Sequence, residues 1–130
     1  MRVSHIGIAV KSIEERLKIW RDVFGLQLER IEEVPEQKVK VAVLPLKDVN
    51  IELIEPLSED STISRFIERR GEGLHHICFE VDNVEKMLAE MKIANMKLID
   101  EVPRVGAGGK KIVFIHPRDI GGVLIELSEK

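Results

Sequence analysis

From Val3 to Val10 apolar and small or polar positions alternate. Ile6, Ile8 and Val10 fall on one face of an extended chain, and His5, Gly7 and Ala9 on the other. The period then lengthens. A capping box, Ser12-x-x-Glu15, opens a helix whose apolar stripe is Ile13, Leu17, Trp20 and Phe24, with Gly25 as its stop. Strands are expected near 26–33, 38–46 and 49–55. The stretch from Pro56 to Gly73 carries a short helix with Ile63, Phe66 and Ile67 on one side and Gly71 at its end. The scheme then recurs: a strand over 74–81, a helix over 83–95, and strands near 97–102, 111–116 and 122–128.

The recurrence extends to individual residues. A shift of 71 (76 − 5) carries His5 onto His76, Ile6, Ile8 and Val10 onto Ile77, Phe79 and Val81, Ser12 onto Asn83, and Leu17 onto Leu88. A shift of 74 (126 − 52) carries Ile51-Glu52-Leu53 onto Ile125-Glu126-Leu127, so a loop between these segments differs by three residues. Chance likeness between amphipathic segments is the alternative; the matched His and matched Glu favour a true repeat. The expected fold is α+β, two βαβββ modules in tandem within one domain spanning 1–130. Module 1 covers about 1–57, a linker helix 58–72, and module 2 about 73–130.

Composition narrows the class of partner. A chain of 130 residues, 44% hydrophobic and 33% charged, suits one domain with a real core. The net charge of −3 argues against nucleic acid or an anionic membrane as partner. One cysteine, Cys78, cannot form an internal disulfide, which fits a reducing compartment. No apolar run resembles a signal peptide or a membrane span, so a cytoplasmic location is expected.

The matched residues carry the chemistry. A lone His in a strand is more often a hydrogen-bonded core residue than a ligand, and a lone Glu more often faces solvent. Here each Glu lies between large apolar neighbours, where an ionised carboxylate is costly without a cation or hydrogen bonds. If a pseudo-twofold axis relates the modules, His5, Glu52, His76 and Glu126 converge on one divalent metal, Co²⁺, Mn²⁺, Ni²⁺, Fe²⁺ or Zn²⁺. His75 falls on the opposite face from His76. His116, before Pro117, suits either a substrate contact or a strand-end structural role, and Cys78 reads as packing. Gly106, Gly108 and Gly109, among Arg104, Lys110 and Lys111, suit either a phosphate cradle or a hairpin with solvated lysines.

Several segments together resemble the methylmalonyl-CoA epimerases of the vicinal oxygen chelate, or glyoxalase-like, superfamily. They are His5-Ile6-Gly7-Ile8-Ala9-Val10, Ile51-Glu52-Leu53-Ile54-Glu55-Pro56-Leu57 and Gly71-Glu72-Gly73-Leu74-His75-His76-Ile77. Gly106-Ala107-Gly108-Gly109-Lys110-Lys111, Ile115-His116-Pro117 and Gly122-Val123-Leu124-Ile125-Glu126-Leu127 complete the match. The resemblance implies a homodimeric isomerase that interconverts (R)- and (S)-methylmalonyl-CoA, with a divalent metal, usually cobalt, held by His5, Glu52, His76 and Glu126. The α-proton is abstracted through a metal-stabilised enolate; Glu126 is the expected base, with Glu52 its candidate counterpart on the opposite face. Some members have Gln where Glu52 stands. Some also carry a second carboxylate five positions after a Glu that Glu36 matches, and here that position is Val41. A glyoxalase-type isomerase and a non-catalytic small-molecule-binding protein are the alternatives on the same scaffold. An extradiol dioxygenase would use only two His and one carboxylate.

Overall fold

The elements run β1 (Arg2–Ala9), α1 (Ile13–Trp20), β2 (Arg30–Val34), β3 (Val39–Pro45), β4 (Asn50–Pro56), α2 (Thr62–Arg70), β5 (Gly73–Val81), α3 (Val84–Ile93), β6 (Arg104–Val105), β7 (Lys111–Ile115) and β8 (Ile125–Glu129). This computed structural model describes residues 1–130. The chain forms two compact units, His5–His75, and His76–Lys130 together with Met1–Ser4.

The first unit orders its strands β2-β3-β4-β1. β1 runs parallel to β4, while β3 pairs antiparallel with both β4 and β2. The second orders them β5-β8-β7-β6, with β5 parallel to β8 and the remaining pairs antiparallel. Each unit is therefore a βαβββ module, as the repeat predicts. In the first, α1 lays Ile13 and Leu17 on Ala42, Leu44, Ile51 and Leu53. In the second, α3 lays Val84, Leu88 and Met91 on Val113, Ile115 and Leu127. Leu53 and Val113 are wholly buried, and burying a side chain of this kind contributes about 1.5–3 kcal/mol. With one sheet face committed to a helix, period two sends His5, Glu52, His76 and Glu126 to the other.

The helix starts repeat as well. Ser12 accepts from the Glu15 N–H at 3.2 Å and Asn83 from the Lys86 N–H at 2.9 Å. A carboxylate from the last strand of each module adds a second cap. Glu55 accepts from the Ile13 N–H at 2.8 Å, and Glu129 from the Val84 N–H at 3.0 Å. Glu55 and Glu129 differ by 74 (129 − 55), the shift that relates Glu52 to Glu126. Glu15, expected to close the capping box, pairs its carboxylate with Lys18 at 3.0 Å.

Two expected strands are shorter than the pattern implies. Of the 26–33 stretch only 30–33 is strand, and β2 runs one residue further to Val34, while Leu26 and Leu28 tuck into the first core. Helix α1 ends at Trp20, and Phe24 stands exposed in the turn before Gly25, whose φ is +82°. Of 97–102, only a bridge from Leu98 to Ile115 remains. The Asp100 carboxylate accepts from the Phe114 N–H at 2.8 Å, so a side chain occupies a donor that a further strand would use. The edge strand is instead β6, beside the glycine-rich loop.

Candidate functional site

In the first unit Gly7 is the register partner of Glu52, and His5 lies two residues before Gly7 on the same face. The imidazole Nδ1 of His5 is 3.1 Å from Glu52 Oε2, and both residues are buried. In the second unit Cys78 is the register partner of Glu126, and His76 lies two residues before it. The Nε2 of His76 is 2.9 Å from Glu126 Oε1, again with both residues buried. The same strand pair, register and residue types thus produce a His–Glu pair in each unit.

The donor chemistry suits a divalent ion. Imidazole nitrogen and carboxylate oxygen are both ligands of such ions, and separations of 3.1 and 2.9 Å are short enough for both atoms of a pair to serve one ion. They also suit a hydrogen bond when the imidazole nitrogen carries a proton. Either arrangement meets the cost of placing a carboxylate among apolar side chains.

The surroundings of the pairs differ. Glu52 lies between Gly7 and Val43 in the ladder; Glu126 lies between Cys78 and Phe114. Phe114 presents its ring edge-on to His76, with centroids 5.7 Å apart and planes at 85°. The Arg104 guanidinium stacks over Phe114 at 5.2 Å and hydrogen-bonds Asp100 at 3.0 Å. Cys78 is fully buried with its Sγ within 4.8 Å of a Glu126 carboxylate oxygen. Sequence reading treated this thiol as packing; its i+2 position after His76 was the available signal for a place beside the pair.

Across the first unit, Val43 opposes both Glu52 and Arg30, and Val41 opposes both Ile54 and Glu32. Arg30 Nε donates to Glu32 Oε1 at 3.0 Å. That bond is the largest cause holding the guanidinium above its ordinary pKa, with the charges of Glu32, Glu29 and Glu52 adding to it. Sequence reading missed Arg30 and Glu32, because their face depends on the β2–β3 register.

The remaining candidates take structural contacts. His75 packs edge-on against Phe66 of α2, with centroids 4.9 Å apart. His116 Nδ1 accepts from the Arg118 N–H at 3.0 Å, capping the short turn Pro117–Asp119. In the glycine-rich loop, Lys111 pairs with Glu85 at 3.3 Å and Lys110 with Glu80 at 3.7 Å. Gly108 and Gly109, at φ +71° and +72°, take a backbone form that side chains disfavour.

Residues 4–114 match the Glyoxalase/Bleomycin resistance protein/Dioxygenase superfamily. The uncharacterized protein YqjC of Bacillus subtilis (strain 168) is 47% identical over 98% of this chain and 91% of its own length. The mitochondrial methylmalonyl-CoA epimerase of Mus musculus is 36% identical over 98% of this chain and 72% of its own. A solved structure of a Streptomyces coelicolor methylmalonyl-CoA epimerase variant in complex with 2-nitronate-propionyl-CoA superposes with a TM-score of 0.95 at 32% identity, covering 100% of this chain and 94% of that one. With such likeness along its whole length, the chain belongs to the methylmalonyl-CoA epimerase family of the glyoxalase/bleomycin resistance protein/dioxygenase superfamily.

Proposed function

We propose that the protein is a metal-dependent epimerase that interconverts (R)- and (S)-methylmalonyl-CoA. The observation that carries this reading is the buried His–Glu pair made by equivalent residues in each module. His5, Glu52, His76 and Glu126 would hold one divalent ion, with cobalt the first to test among Co²⁺, Mn²⁺, Ni²⁺, Fe²⁺ and Zn²⁺. When bound, that ion supplies positive charge for the electron density that develops on the thioester and carboxylate oxygens of the substrate.

The chain's own residues supply the proton chemistry and the setting. The α-hydrogen lies between a thioester and a carboxylate, both of which can accept the electron pair left when the C–H bond breaks. The Glu126 carboxylate takes this proton, and Glu52 is its repeat-equivalent partner from the first module. Phe114, held by Arg104, keeps the His76 imidazole edge-on and limits water around it. The enzyme works as a cytoplasmic homodimer in this reading. The exposed apolar residues Ile19, Val23 and Phe24 at the end of α1 support an association surface.

The test is metal analysis of the purified protein followed by incubation of one methylmalonyl-CoA epimer in deuterium oxide. Racemisation with deuterium at the α-carbon, abolished by chelation and restored by a divalent ion, is the expected result. Absence of both inversion and exchange in metal-loaded protein would overturn it.

A further inference from the structure

A substrate with a free carboxylate gains from a donor that holds this group while the neighbouring carbon meets a base. In the second unit, strand register fixes which residues share the face of Glu126. Directly opposed residues, and residues two apart along one strand, lie on the same side of a sheet. Cys78, Glu126 and Phe114 form one row across β5, β8 and β7, and Ser128 and Ile112 belong to the next. In the other direction stand His76, two residues before Cys78, and His116, two residues after Phe114. His116 follows the end of β7 with φ −61° and ψ 139°. The extended backbone, and its alternation, therefore continue one residue past the last pair, Ile115 and Ile125.

The other donors on this face are engaged or enclosed. His76 Nε2 meets Glu126 itself, and the Cys78 thiol donates to the Phe79 carbonyl at 3.8 Å. Ser128 is buried, and the Arg104 guanidinium, opposite Ile112, donates to Asp100. His116 differs. Its Nδ1 accepts from the Arg118 N–H at 3.0 Å, and a backbone N–H can only donate. That nitrogen therefore carries no hydrogen, and the hydrogen of the ring lies on Nε2. No acceptor in the protein takes it.

His116 also stands where a ligand can arrive. It and Leu124 are partly exposed and Val123 is 38% exposed, whereas Glu126 and Phe114 are buried, so this edge of the face is the one that meets solvent. Glu126 and His116 are diagonal neighbours across β8 and β7, a relation that separates residues by about 7–8 Å and lets long side chains reach one small group. The backbone bond to Nδ1 holds the ring in place, which lowers the cost of ordering it on binding.

We infer that His116 is a substrate-binding residue whose Nε2–H donates to the free carboxylate of the acyl group, and that it thereby selects carboxylated over uncarboxylated acyl-CoA thioesters. The inference rests on the epimerase reading. A carboxylate has about four acceptor positions, so it takes this bond while keeping others, and its charge strengthens the bond.

The test separates the two ring nitrogens. Asn places an oxygen near the position of Nδ1 and nothing at Nε2; Gln places an amide N–H near Nε2 and nothing at Nδ1. Binding of malonyl-CoA and of propionyl-CoA to metal-loaded full-length protein is measured by titration calorimetry, with Tm and bound metal read alongside. The wild type should prefer malonyl-CoA. His116→Asn should reduce that preference by about tenfold or more, through malonyl-CoA alone, with Tm and metal content unchanged. His116→Gln should keep the preference within about threefold while losing the turn cap and lowering Tm. A residue that serves the turn alone would give the opposite pattern, with Asn equivalent to wild type. That pattern, equal weakening of both thioesters in His116→Asn, loss of preference in both variants, or no preference in the wild type would overturn the assignment. If His116→Asn does not fold, His116→Gln decides: retained preference supports the donor and lost preference overturns it. Wild-type protein that neither inverts nor exchanges methylmalonyl-CoA in deuterium oxide would instead strike the epimerase reading beneath it.

Discussion

The two modules build the same pair of donors into unequal settings. Around Glu52 the ladder offers Gly7 and Val43, and beyond them the Arg30–Glu32 pair; around Glu126 it offers Cys78 and Phe114, the latter clamped by Arg104 and Asp100. The first setting combines small apolar side chains with nearby charge, whereas the second combines a thiol with an aromatic ring. Repeated backbone geometry thus places a His–Glu pair in each module, and the residues filling the next ladder positions differ between them. A group that must take a proton gains from a packed, water-poor wall.

The largest expected break in this comparison is Glu126→Gln. Turnover should fall by about 10³-fold with bound metal unchanged, because a carboxamide cannot take the proton. Retained deuterium exchange from both epimers would contradict the role of Glu126. Next come His5→Ala and His76→Ala, each expected to weaken metal retention on dialysis by more than about 100-fold, a loss shared by both modules if they hold one ion. On stability, Leu53→Ala and Leu127→Ala should each cost about 2–5 kcal/mol in denaturant unfolding, because both side chains are buried beneath a helix. Glu55→Gln and Glu129→Gln should each cost about 1 kcal/mol, and matched losses would show that the caps are equivalent.

The smallest effect is confined to the first unit. Glu72 accepts from Arg16 and from the Lys11 N–H, which hold its carboxyl below the ordinary carboxylate value. A folded-state value that is depressed gives stability above the unfolded pKa, and this stability is lost as pH falls through the folded value. Glu72→Gln should therefore flatten acid destabilisation slightly in pH-dependent thermal unfolding. An unchanged acid limb would show that the pair contributes nothing measurable.

Much of the scaffold could be read from the chain because its signals are local and periodic. His5-Ile6-Gly7-Ile8 and His76-Ile77-Cys78-Phe79 alternate cleanly, and both helices open at good capping residues. The 97–102 stretch was misleading because Asp100 satisfies a strand donor with its side chain, which no alternation pattern records. Phe24 kept the helical period past Trp20, although the chain had already turned. At the site, residue types and repeat spacing were legible. The Arg30–Glu32 pair was not, since its face follows from the β2–β3 register and β2 begins later than the apolar pattern suggests.

The unequal shifts of 71 and 74 can now be located. Val43 and Phe114, opposite Glu52 and Glu126, still differ by 71 (114 − 43), so the three-residue change falls in the connection from β7 to β8 relative to that from β3 to β4. That connection bears neither member of a His–Glu pair nor a helix-capping carboxylate. On the strand after it, Glu129 latches the helix start three residues beyond Glu126, as Glu55 does beyond Glu52. A duplicated half with such an internal latch can absorb insertions in its return loop while its carboxylate stays in register. A difference of three residues in that loop therefore leaves the spacing from carboxylate to helix cap the same in both halves.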